Sequence, residues 1–131
     1  MVEAATRTGT HRILVVDDEG DVRHGLARAI TRLTGYESAT AANAFEAGYQ
    51  LAHFRPDLAI LDIMMPGMNG LEICGELRRI ASSDEVKVIV LTGYPGGGNK
   101  EITVLQGADL LLEKPQDVET LIRHIDDLLG E

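Results

Sequence analysis

The feature that most constrains this chain is an alternation. Five short apolar runs, HRILVVDD (11 to 18), YESATAA (36 to 42), DLAILD (57 to 62), VKVIVLT (86 to 92) and DLLLEK (109 to 114), are separated by stretches with apolar residues at helical spacing. Most of the runs are continuous in Val, Ile and Leu instead of alternating with polar residues, the pattern of strands covered on both faces. Between the first two, Val22, Leu26, Ile30 and Leu33 mark one face of a helix that Gly35 ends. Asn43 is placed to cap a helix reaching about His53, with Ala44, Ala47, Gly48 and Leu51 inward. LEICGELRRI (71 to 80) offers Leu71, Cys74, Leu77 and Ile80 to a core, a weak helix is predicted at about 100 to 106, and Asp117 caps a last helix with Val118, Leu121, Ile122, Ile125 and Leu128 or Leu129 on its stripe. Each strand, helix, strand unit is a right-handed crossover, so the chain is predicted to be α/β, a doubly wound five-stranded parallel sheet flanked by five helices. Residues 1 to 10 are small, polar and aperiodic and are expected to form a disordered leader, leaving 11 to 131 as one domain.

Composition narrows the function. With 21 Asp and Glu against 12 Lys and Arg the net charge is −9, the wrong sign for gripping phosphate backbones, which argues against direct nucleic-acid binding. The apolar runs fall far short of the ~20 residues a membrane span needs, and the N-terminus lacks the apolar core of a signal peptide. A cytoplasmic protein without membrane contact is expected. The single cysteine, Cys74, rules out an internal disulfide, suits a reducing compartment, and is predicted to be a buried core thiol.

In a parallel sheet of this kind, sites form at the carboxyl ends of the strands, where the topology reverses. Those ends carry Asp17, Asp18 and Glu19, then Asp62, Thr92 and finally Lys114 with Pro115. Carboxylates converging on one crevice repel each other unless one takes up a proton or a cation intervenes. Mg2+, which prefers a few carboxylate oxygens plus water and a phosphate oxygen, fits such a pocket. Lys114 and Thr92 supply the cation and hydroxyl that a phosphoryl group's oxygens need. Asp62 at the end of its strand is then a nucleophile accepting a phosphoryl group in line.

Together VVDDE (15 to 19), DIMMPGMNG (62 to 70), LTG (91 to 93), GAD (107 to 109) and EKP (113 to 115) give the chain, over about 11 to 130, a pattern that resembles the receiver domains of two-component response regulators. The resemblance implies a flavodoxin-like sheet with strand order 2-1-3-4-5. It implies that Asp62 is phosphorylated by a sensor histidine kinase or phosphotransfer protein, and that a downstream protein reads the result. Mg2+ would be held by the side chains of Asp18 and Asp62, by the Met64 backbone carbonyl, and by Asp17 through water. Thr92 and Lys114 would contact the phosphoryl group, and the Lys114–Pro115 bond would be cis. Two positions depart from the family. Leu111 stands where an aromatic switch residue is usual, leaving the coupled movement of threonine and ring without its aromatic partner. PGGGN (95 to 99) puts glycines where the fourth helix normally starts; each costs ~1 kcal/mol against alanine inside a helix, so that helix is predicted to start late or be mobile.

Other readings are weaker. GYPGGGNK (93 to 100) is not a phosphate loop, because Asn99 separates the last glycine from Lys100. Met64, Met65 and Met68 are read as packing, and His11, His24, His53 and His124 as surface or boundary residues without ligand spacing. An aspartate-nucleophile phosphatase wants a second acid two residues after Asp62, where Met64 stands. A receiver-like module that binds partners without a phosphorylation cycle is the alternative that Leu111 and the glycines favour. The length leaves no space for an output domain, so either a single-domain regulator or an excised fragment is expected, as a monomer or a phosphorylation-dependent dimer.

Overall fold

The computed structural model describes residues 9–62, 86–92, 107–114 and 117–131, and in them the alternation is realised. Strands β1 (Arg12–Val16), β2 (Glu37–Ala41), β3 (Leu58–Asp62), β4 (Lys87–Thr92) and β5 (Leu110–Glu113) form one sheet in the order β2-β1-β3-β4-β5, every neighbouring pair parallel. Helices α1 (Gly20–Thr34), α2 (Ala44–His53) and α3 (Val118–Leu129) accompany it. The helices expected at 71 to 80 and at about 100 to 106, and residues 1 to 8 of the expected leader, lie outside the described residues.

The pleat sorts each strand's side chains into two cores, which explains why the sequence runs are continuously apolar. Leu14, Val16, Ala59, Leu61, Val88 and Val90 face one side, where Ala47 and Leu51 of α2 cover them. Ile13, Val15, Leu58, Ile60 and Ile89 face the other, under Ala27 and Ile30 of α1 and Leu121 and Ile125 of α3. On α1 the expected Ile30 is buried and Leu26 packs against the same core, Ala27 and Thr34 join them, and Val22 is 49% exposed. Val22 sits in the first turn of the helix. Thr34 tolerates burial because its hydroxyl donates to the Ile30 carbonyl (2.7 Å) and accepts from the Tyr36 N–H (2.9 Å). On α2, Ala47 is buried, whereas Ala44 is exposed.

Two aspartates fasten strand starts by the same device. Asp57, just before β3, donates its N–H to the Arg12 carbonyl (2.8 Å) while its Oδ2 accepts from the Arg12 N–H (2.8 Å). Asp109, just before β5, does the same with Val88, at 2.8 and 2.7 Å. Each carboxylate thus supplies the rung that a longer strand would have made. Gly107 makes the second clamp reachable: its φ of +95° is a turn conformation that side chains resist.

The helix ends follow local chemistry. Asn43 accepts from the Glu46 N–H (2.9 Å) and the Glu46 carboxylate accepts from the Ala42 N–H (2.8 Å), a reciprocal cap on α2. Gly35 closes α1 at φ +80°, its N–H donating to the Thr31 carbonyl. On α3 the Asp117 carboxylate accepts from the Thr120 N–H (2.8 Å) and hydroxyl (3.0 Å).

Two stability measurements check these assignments. Val88 is wholly buried whereas Arg12 is exposed, so losing the clamp at Val88 strands an N–H that water does not reach. In urea titrations Asp109→Ala is expected to cost about 1–3 kcal/mol, and Asp57→Ala distinctly less. The Thr120 N–H first, then its hydroxyl and the nearby Arg123, hold the Asp117 carboxyl below its ordinary value of 3.8. A carboxylate depressed in the folded state contributes stability that is complete above the unfolded value and fades as pH falls through the folded one. The urea midpoints of wild type and Asp117→Ala are therefore expected to lie furthest apart near neutral pH and to converge below pH 3.8.

Candidate functional site at the carboxyl edge of the sheet

After β1 the chain crosses to β2 on one side, and it returns on the other side as β3. The loops leaving β1 and β3 therefore part, and this switch point is where an open parallel sheet forms a crevice. Strand register determines what stands there. Val16 pairs with Leu61, so Asp17 and Asp62 are the next residues out on adjacent strands. Asp62 pairs with Leu91 on β4, and Thr92 follows one step beyond. Thr92 pairs with Glu113 on β5, and Lys114 follows in turn. Four neighbouring strands thus bring Asp17, Asp62, Thr92 and Lys114 to one edge.

The acids on β1 differ in environment. Asp17 is 7% exposed. Its N–H donates to the Ala41 carbonyl (3.1 Å), extending the β1–β2 ladder by one rung. Its Oδ1 accepts from the Glu19 N–H (3.0 Å), and its carbonyl accepts from Arg23 Nη1 (2.7 Å). Asp18 and Lys114 are exposed. Asp62 and Thr92 are described as strand positions, and Met64, Pro115 and PGGGN lie outside the described residues. Leu111 pairs with Val90 and packs against the core under α2, so this position is an aliphatic packing residue.

Among the described side chains, no three of His, Cys, Asp or Glu gather closely enough to hold a metal ion. The candidate donor set fits a hard ion, since its members are oxygens, carboxylates and the Met64 carbonyl, with no thiolate or imidazole among them.

Arg23 is the residue at this edge that the sequence did not single out. Its signal was an arginine in the first turn of a helix that starts just after paired acids, where a guanidinium can fold back onto the loop. No described helix is long and apolar enough to cross a membrane.

Comparison with known proteins agrees with this architecture. The family model described as the response regulator receiver domain matches residues 13–126. Response regulator MprA of Mycobacterium sp. (strain KMS) is 38% identical over 118 residues, which is 90% of this chain and 50% of that protein. The same protein of Mycobacterium leprae (strain TN) has the same identity and coverage, so the chain spans half the length of these curated relatives. A receiver domain protein (CheY-like) from Methanospirillum hungatei JF-1 superposes with a TM-score of 0.82 at 30% identity, covering 93% of this chain and 95% of that one. The signal receiver domain of a response regulator from Bermanella marisrubri gives 0.80 at 32%, covering 92% and 99%. In sequence, strand order and overall structure, the chain belongs to the response regulator receiver domain family.

Proposed function

We propose that this receiver is a phosphoacceptor switch in which Asp62 takes a phosphoryl group from a histidine kinase or a phosphotransfer protein, in the cytoplasm. The observation that carries the reading is the strand register, which sets buried Asp17 next to Asp62 and continues to Thr92 and Lys114 along one edge. An Asp62 carboxylate oxygen attacks the phosphorus of a phosphohistidine. The new O–P bond forms as the P–N bond breaks, and the imidazole leaves with the electron pair and is protonated. Lys114 and Thr92 meet the transferred oxygens, where an ammonium and a hydroxyl stabilise the charge that develops. Asp17, Asp18, Asp62 and the Met64 carbonyl would hold Mg2+, which when bound screens the carboxylates from each other and neutralises phosphoryl charge.

Phosphorylation adds about −1.5 to −2 charges to an edge already rich in acids. The surface around β4 and β5 is where a downstream protein would sense it. Leu111, paired with Val90 and packed against the core, would answer the change through packing. The receiver unit is taken as 11–131, with 1–10 as a leader.

The test is to incubate the protein with Mg2+ and a small acyl-phosphate donor and to follow intact mass. One phosphoryl unit is expected, lost when Mg2+ is chelated and absent from Asp62→Asn. Lys114→Ala is expected to slow uptake on the order of 10²-fold. A wild-type chain that gains no mass sinks the reading in favour of a module that only binds.

A further inference from the structure

The loop between β1 and α1 carries two of the acids assigned above, yet a residue outside it holds its shape. Asp17 is fastened through its N–H to Ala41, through its Oδ1 to the Glu19 N–H, and through its carbonyl to the Arg23 guanidinium at 2.7 Å. Arg23 is itself anchored by α1, where its N–H donates to the Glu19 carbonyl at 2.8 Å. Glu19 occupies the cap position of α1 without a side-chain cap bond. The side chains of Asp17 and Arg23 therefore close this helix start between them. The carbonyl that Arg23 grips belongs to the peptide joining Asp17 to Asp18. Gripping it fixes that peptide's plane, and with it the direction in which the Asp18 side chain leaves the backbone.

We infer that Arg23 is a positioning residue of the acidic edge: by holding the Asp17–Asp18 peptide, it sets these two carboxylates in the arrangement that a divalent cation requires. The inference rests on the reading of this edge as a Mg2+-dependent phosphoacceptor site. Charge and position demand opposite signs, which makes it decidable. A guanidinium is a permanent cation and repels an incoming divalent ion, so an Arg23 acting through charge alone would weaken Mg2+ binding, and its removal would tighten it. An Arg23 acting through the loop does the reverse.

Calorimetric titration with Mg2+ is performed on the wild-type chain, Arg23→Ala, Arg23→Met and Arg28→Ala, with amide hydrogen exchange at Glu19 in the metal-free proteins. Arg23→Met keeps the apolar stem and removes the donors, which covers the case in which Arg23→Ala fails to fold. Arg28 is an exposed arginine further along the same helix, so its loss removes equal charge while leaving the grip on Asp17 intact. The Mg2+ dissociation constant is expected to rise roughly 10-fold in the Arg23 variants, the size of effect seen when a ligand's supporting partner is lost. It is expected to stay level or fall in Arg28→Ala, and the Glu19 amide is expected to exchange faster only in the Arg23 variants. Unchanged or tighter binding in Arg23→Met, or equal weakening in Arg28→Ala, overturns the inference while leaving the phosphoacceptor reading in place. A wild-type chain that takes up no Mg2+ overturns that reading first, and the inference with it.

Discussion

The register between β1 and β3 is the constraint on which the rest of this molecule turns. Pairing Val16 with Leu61 buries two aliphatic side chains in one core and makes Asp17 and Asp62 neighbours on adjacent strands. A slip of one residue would separate these acids, but it would also turn every side chain of the slipped strand to the opposite core. Both strands are buried on both faces, so their registry is held by packing rather than by the acids. Core packing thus sets two aspartate positions side by side, a placement that carboxylates by themselves oppose.

Aspartate serves two purposes here, and the edge of the sheet decides which. At the amino edge Asp57 and Asp109 complete the ladder by accepting a main-chain N–H from the neighbouring strand. The same edge pairs other acids with donors: the Tyr36 hydroxyl donates to Asp126, and His11 Nε2 lies 2.9 Å from Glu131 Oε2. At the carboxyl edge Asp17 and Asp62 stand at the last rungs, Asp17 bonded to Ala41 and Asp62 paired with Leu91, where the connecting loops begin. The sequence DL opens both DLAILD and DLLLEK, and the fold shows that this repetition marks strand starts rather than chemistry.

The strands were legible because a sheet covered on both faces needs unbroken apolar runs, and all five fall within the segments that such runs mark. The caps at Asn43 and Asp117 and the glycine stop at Gly35 were legible for a similar reason, since each rests on a bond between residues close in sequence. The inward face of α1 was less so. Periodicity favours large side chains and selects Val22 with Leu26 and Ile30, whereas the packed face leaves Val22 exposed and adds Ala27 and a threonine whose hydroxyl is satisfied locally. Of the candidate site, the alignment of Asp17, Asp62, Thr92 and Lys114 at one edge follows from strand order and register. The grip of Arg23 on the Asp17 carbonyl does not, because nothing in the sequence tells which way a long, flexible side chain folds. The clamps at Arg12 and Val88 were hidden for a related reason: each joins residues brought together only by the sheet.

The carboxyl edge is also where the helices begin. In a strand, helix, strand crossover every helix starts at the end its preceding strand has just reached, and helix starts present unsatisfied N–H groups and the positive end of the macrodipole. Asp17 accepts from the Glu19 N–H at the start of α1, Asn43 from Glu46 at the start of α2, and Asp117 from Thr120 at the start of α3. The same topology that collects carboxylates at this edge therefore collects donors for them, so a chain of net charge −9 keeps an acid as buried as Asp17 at the mouth of its sheet. A phosphoryl group delivered to that edge would meet the same field of helix starts, which favours anions whether they come from side chains or from a donor.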